Sequence, residues 1–142
     1  MKNNKKNQKK IKNNILRLSF FFIIIIQNYR ALLAYPIVQI KDCYDGDTCT
    51  TKSGEKIRLA CIDAPELKVK KVYSSKGVSS KNFLNNLVSN KYVEIKRLDI
   101  DRYGRTVAEL FLNGKNIQKT IFDNQFAVIY KKYANQCKWS RN

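Results

Sequence analysis

The sequence predicts a mainly β, α+β fold: a small five-stranded barrel with one helix between strands 3 and 4 and a shorter helix after strand 5. Three observations predict it. Five short stretches rich in β-branched and aromatic residues recur between Gly, Asp and Ser punctuation, a single stretch with helical spacing interrupts them, and a second apolar stripe follows an Asn cap. A length of 142 residues suits one domain with one core rather than two.

The first strand is read from "PIVQIK" (36–41) and the second from "DTCTT" (47–51). Between them stands Asp45-Gly46, a hairpin signal, because glycine tolerates the positive φ of a tight turn. "EKIRLACI" (55–62) is the third strand, with Asp63 at its end, where Pro65 forces Ala64 to be extended. In "GVSSKNFLNNLVSN" the period changes: Phe83, Leu84, Leu87 and Val88 fall on one helical face. "KYVEIKRL" and "TVAELFL" complete the strands. The second helix is expected from Asn116 to Asn124, capped by Asn116, with Ile117, Ile121 and Phe122 as its buried side. Three strands, a helix and two strands is the order of an OB-fold, a partly open barrel that commonly binds oligonucleotides. Function has to be argued from the site.

Residues 1–34 differ in kind from the rest. Eight basic residues and no acid surround an apolar run from Phe20 to Ile26, and a small residue, Ala34, ends the segment. That order reads as a secretory signal cleaved after Ala34, with an uncleaved surface anchor as the alternative. Seven apolar residues are too few to span a bilayer, which needs about 20. The expected domain is therefore 35–142, exported to the cell surface, periplasm or medium and not stably inserted in a membrane. The whole chain carries +17; without residues 1–34 twenty basic residues face eleven acids, leaving +9. This balance suits a polyanion such as nucleic acid, since neutralised phosphates release counterions.

The chain has four cysteines and no histidine. The lack of histidine and of any C-x-x-C pair argues against a structural zinc site, and acid–base chemistry falls to carboxylates, lysines, tyrosines or water. All four cysteines lie beyond residue 34, and an even number in an exported chain favours disulfides. Cys43 and Cys49 face each other across the expected hairpin; Cys61 with Cys137 would tie the C-terminus to the barrel. Four free thiols in a reducing compartment are the alternative.

Three polar clusters carry the chemistry: "DGDT" (45–48), "RLACIDAPE" (58–66) and "DRYGR" (101–105). Asp45 and Asp47 sit at the first and third places of an EF-hand loop, but Thr50 replaces its glycine and Lys56 its closing glutamate, so that reading fails. If the second and third strands are neighbours, Asp47, Asp63 and the Ala64 carbonyl converge as hard oxygen donors suited to calcium. Asp45 is read as shaping the hairpin, and Asp101 as a turn residue paired with Arg105. Tyr103, beside Gly104 and two arginines, is a candidate for stacking on a base; Tyr130 and Tyr133 are similar candidates or ordinary packing.

In this order the clusters resemble the staphylococcal nuclease (thermonuclease) family, over about Val38 to Tyr133. The resemblance implies that Asp47, Asp63 and the Ala64 carbonyl hold Ca²⁺ and that Arg58, Glu66 and Arg105 are catalytic. Glu66 would be the base that activates water, and the arginines would clamp phosphate as planar forks. Arg102, Tyr103, Tyr130 and Tyr133 are expected to bind substrate, single-stranded DNA or RNA, with the protein a monomer. The alternative is a non-catalytic or truncated OB module that binds single-stranded nucleic acid. Two departures stand out. Gln125 occupies a position where the family has glycine, so Asn124 is expected to take the left-handed conformation. "ANQCKWSRN" is too short for the family's C-terminal helix, which is expected to leave apolar barrel surface bare.

Overall fold

The structure, a computed structural model, describes residues 35–141. The reading of residues 1–34 as a signal lies outside them. The strands are β1 (Ile37–Cys43), β2 (Thr48–Thr51), β3 (Lys56–Leu59), β4 (Ile62–Asp63), β5 (Lys68–Val69) and β6 (Val72–Tyr73). Helix α1 (Ser75–Val88) then leads to β7 (Tyr92–Ile100), β8 (Thr106–Leu112) and β9 (Lys115–Asn116). Helix α2 (Ile117–Asp123), β10 (Val128–Ile129) and two 3-10 helices (Lys131–Gln136, Lys138–Ser140) follow.

The main sheet runs β3-β2-β1-β7-β8-β9, and a parallel pairing of β3 with β8 closes it. Five strands thus form the barrel expected from the sequence. Ile57 opposes Thr106, Arg58 opposes Val107 and Leu59 opposes Ala108 at the closure. A closed barrel leaves no edge among these five strands. Register shifts between Ile40 and Asp42 in β1, and between Arg97 and Asp99 in β7, mark the bulges that bend them. Alternation sends Ile57 and Leu59 of β3, and Val93 and Ile95 of β7, into a core shared with Ile40, Leu110 and Ile121.

Ser74 caps α1, its hydroxyl accepting from the Gly77 N–H at 3.3 Å. The helix buries Leu84 and Val88 against the barrel. Half-buried Phe83 stacks on Phe126 with ring centroids 4.2 Å apart. Two glycines permit close approach: a Cβ on Gly77 would overlap the Glu66 backbone carbonyl, and one on Gly46 would overlap the Ser80 hydroxyl and Ala64 methyl. Gly46 is therefore not the positive-φ residue expected from the Asp-Gly signal. Close approach of α1 requires it.

Other expectations are corrected. The third strand does not run to Ile62: it stops at Leu59, because Ala60 and Cys61 turn the chain and Cys61 takes φ 67°. Asp63 instead belongs to β4, paired with Val128 of β10. In α2, Asn116 caps Lys119 N as expected, but Phe122 is exposed and Gln118 is buried in its place. The Gln118 amide bonds Leu110 N–H and the Ala108 carbonyl, so its polar atoms are satisfied inside. After α2 the left-handed residue is Gln125 (φ 62°), while Asn124 remains at φ −92°.

The C-terminal residues also cover the barrel, where bare surface was expected. Cys137 is bonded to Cys61, both buried, and Trp139 packs on the core. The Trp139 indole N–H donates to Glu109 Oε1 at 3.1 Å, inside a network in which Lys96 Nζ donates to Oε2 at 2.8 Å. Cys43 and Cys49 are directly opposed in the β1–β2 register and are bonded to each other.

Candidate active site

Asp47 enters the site because its backbone is held on two sides. Its N–H donates to Asp45 Oδ1 at 3.0 Å and its carbonyl accepts from Leu59 N at 2.8 Å, which pins the hairpin against β3. The side chain is then trapped; Asp47 is only 7% exposed. Oδ2 accepts from the Ala64 N–H at 2.8 Å and lies 3.2 Å from Arg58 Nη2, while Oδ1 accepts from the Thr48 hydroxyl at 3.2 Å. Burial pushes its pKa up to about 6; Arg58 opposes that, the Asp45 charge adds to it, and the Ala64 and Thr48 bonds oppose it.

Arg58 lies on β3 and folds over the turn that follows. Nη1 donates to the Leu59 carbonyl at 2.6 Å and the Ile62 carbonyl at 3.0 Å, and Nη2 is 3.2 Å from Asp63 Oδ1. One nitrogen therefore stands between Asp47 and Asp63. Asp47 and Asp63 both meet this nitrogen, so Arg58 is the cation between them, and it is the Ala64 N–H, not the carbonyl the sequence reading expected, that meets Asp47.

Arg105 approaches from the β7–β8 turn. Asp101 holds that turn by accepting from Tyr103 N at 2.9 Å and Arg105 N at 3.0 Å, and Gly104 takes φ 74°. Arg105 Nε donates to Asp101 Oδ2 at 2.8 Å, and its Nη1 reaches the Thr48 hydroxyl at 3.4 Å. Partial burial raises the Asp101 pKa, but the hydrogen bonds from Arg105 and Tyr103 outweigh it and hold the carboxyl below its usual range. Thr48 thus links Arg105 to Asp47. The sequence reading did not single it out, although a hydroxyl directly after an acid that ends a turn was the available signal.

A cleft of about 410 Å³ opens beside this cluster, lined by Arg58, Asp101, Arg105, Tyr103, Tyr130 and Tyr133 among others. Tyr103 is 67% exposed, with the Arg102 and Arg105 guanidinium groups 4.8 and 5.4 Å from its ring centroid. Arg102 also lines the cleft and donates to the Tyr103 hydroxyl at 2.7 Å. Tyr130 and Tyr133 pack edge to face at 5.1 Å, so packing and exposure in the cleft coexist. Glu66 stands apart. It is exposed, is not among the cleft-lining residues, and among the described residues its carboxylate makes no hydrogen bond or ion pair.

Among the described residues no group of three or more His, Cys, Asp or Glu side chains converges as a metal cage. Two carboxylates that share one cationic nitrogen, with carbonyls of the following turn close by, still fit a hard cation that accepts backbone oxygens and water. They do not fit a soft or nitrogen-seeking metal.

The family model described as "Staphylococcal nuclease homologue" matches residues 56–141. An uncharacterized endonuclease of Haemophilus influenzae is 39% identical over 95 residues, which cover 64% of this chain and 51% of that protein. A probable staphylococcal-like nuclease, CAN3, of Oryza sativa is 33% identical over 103 residues, 72% of this chain and 26% of its own length. An uncharacterized endonuclease of Escherichia coli is 32% identical over 115 residues, 78% of this chain and 72% of its own. The chain thus spans half of the Haemophilus relative and a quarter of the rice one.

Proposed function

Because the chain belongs to the family of staphylococcal nuclease homologues, we propose that it is a Ca²⁺-dependent nuclease that hydrolyses phosphodiester bonds in DNA, RNA or both. The observation that carries this reading is Arg58, which meets Asp47 and Asp63 and also lines the cleft with Arg105. Anionic ligands for a cation and cationic forks for a phosphate therefore stand side by side.

Asp47, Asp63 and the Ala64 carbonyl would hold the ion. When bound, Ca²⁺ supplies Lewis-acid polarisation of a phosphoryl oxygen and a more acidic water. Arg105 orients the phosphate with its free guanidinium hydrogens, and Arg58, whose Nη hydrogens are held by Leu59, Ile62, Asp47 and Asp63, adds fixed positive charge that offsets the charge building on the phosphate oxygens. Arg105 is preset for this by Asp101 and Thr48. Glu66 Oε takes the proton of the attacking water; its lack of a competing partner leaves it free to accept. Tyr103, Tyr130 and Tyr133 offer ring faces to bases, with Arg102 beside them, which suits single-stranded substrate and a monomer. Two disulfides in the described domain and the signal-like order of residues 1–34 support export.

The test is cleavage of a labelled oligonucleotide with Ca²⁺ and its arrest by a chelator. Glu66→Gln is expected to lose about 10²- to 10⁴-fold in turnover with unchanged affinity and fold, because the side chain is exposed and unpaired. Binding without Ca²⁺-dependent cleavage in the wild type would instead favour the non-catalytic module. Wild-type turnover in Glu66→Gln would remove Glu66 as the base.

A further inference from the structure

From Leu67 to Val93 the chain holds six lysines and not one acid. Three of them, Lys68, Lys70 and Lys71, lie on the β5–β6 ribbon, whose residues 68–73 are all exposed. Leu67 anchors its base in the interior, and Ser74 N closes it by donating to the Leu67 carbonyl at 3.0 Å. The ribbon has no buried face to explain it.

Its turn is the pair Lys70-Lys71, at φ 49° and 70°. A two-residue turn with both φ positive is filled without strain by Asn-Gly, whereas a side chain with a Cβ is disfavoured there. Lysine is a poor choice for that backbone, yet it sets two ammonium groups at the tip. Along the strands, Lys68 and Tyr73 are cross-strand partners with the ammonium 4.5 Å from the ring centroid, and Val69 pairs with Val72 on the opposite face.

We infer that this ribbon is a second contact for a nucleic-acid strand, its lysines on backbone phosphates and Tyr73 under a base, beyond the phosphate held in the cleft. The inference rests on the proposed nuclease function. Charge argues for the occupant, since an acid-free cationic projection attracts a polyanion. Chain position adds to this: the ribbon starts two residues after Glu66, a reach of about 7 Å, so it stays beside the proposed base and outside the cleft itself. An anionic membrane is the other polyanion to consider, but an apolar face only two valines wide gives it little to insert into.

The experiment is fluorescence anisotropy with chelator present, using labelled single strands of about 4 and about 20 nucleotides over a range of salt. Lys70→Asn with Lys71→Gly removes both tip charges and gives the turn its preferred residues, so folding is not threatened. Losing two phosphate contacts should flatten the slope of log K against log salt by about 1.4 for the longer strand, or on the order of 25-fold in affinity near 0.1 M salt. Affinity for the 4-mer should hold. Unchanged affinity and slope for the 20-mer would overturn the inference and leave the nuclease reading standing if the wild type still cleaves. If the wild type neither binds nor cleaves either strand, the nuclease reading fails and the ribbon inference with it. Loss of co-sedimentation with phosphatidylserine vesicles, with oligonucleotide binding intact, would reassign the ribbon to a membrane and overturn the inference.

Discussion

The bond between Cys61 and Cys137 joins residues 76 apart in sequence, whereas Cys43 and Cys49 are 6 apart. Replacing the long-range pair with alanines should therefore destabilise the domain far more than replacing the short one. In the chain-entropy model the long loop is worth about 4.5 kcal/mol at 25 °C and the short one about 2.2 kcal/mol. Against a total stability of about 5–15 kcal/mol, the former is about 30% or more of what holds the fold. Alanine is the right probe because it leaves the φ of 67° at Cys61 in place. Urea unfolding of Cys61→Ala/Cys137→Ala, with a slope of about 2 kcal/mol/M, should show its midpoint lowered by roughly 2 M. A second readout comes from the cleft: Tyr130 N donates to the Cys61 carbonyl at 2.9 Å and Tyr133 follows three residues later, so loosening this segment should raise KM more than it lowers kcat. The reasoning is refuted if removing the long bond costs no more than removing the short one, or if all four thiols of the native protein alkylate without reduction.

Other perturbations separate the roles of the charged groups. Arg58→Lys should be severe for turnover and also for the local fold, since lysine cannot bond two carbonyls and two carboxylates at once; Arg105→Lys should impair turnover with little loss of stability. Wild-type rates in either would remove the phosphate clamp. Asp63→Asn and Asp47→Asn should each weaken Ca²⁺ binding by calorimetry, and metal-free stability should rise slightly in Asp47→Asn, where burial and the Asp45 charge oppose ionisation; unchanged affinity in both would refute the ion site. Glu55 tests pH linkage away from the cleft. Its carboxylate accepts from Arg97 Nε and Nη2 and from Thr106, and the Arg97 bonds, opposed by burial and helped by Thr106, lower its pKa from 4.5. A depressed carboxyl pKa contributes stability that is present above the unfolded value and lost as pH falls through the folded one. Glu55→Gln should therefore flatten the acid side of the stability profile below about pH 4.5; an unchanged profile would show that the pair contributes nothing.

Strand positions, helix order and barrel class were legible because alternation and helical spacing are local properties of the chain. Val93, Ile95 and Leu84 declare their faces within a few residues, and Asn116 declares its cap. The candidate site was legible in residue type for a related reason: aspartates, arginines and tyrosines clustered at three turns have few structural uses together. What the local pattern misjudged involved competition between partners. Phe122 looked more apolar than Gln118, yet Gln118 bonds the Leu110 N–H and the Ala108 carbonyl of β8 and takes the buried place. Gly46 looked like a turn residue, yet α1 passes too close for any side chain there.

The sequence by itself determined which groups are available: carboxylates and guanidiniums without a histidine, six lysines in an acid-free stretch, and four cysteines in positions that can pair. Only the tertiary structure decided that one Arg58 nitrogen lies between Asp47 and Asp63, that Thr48 connects Asp47 to Arg105, and that Trp139 and Cys137 cover the barrel while Glu66 stays in solvent. Spacing along a chain limits which atoms can meet, but turns such as the one at Ala60-Cys61 choose among them. That choice depends on burial and hydrogen-bond partners contributed by segments tens of residues away.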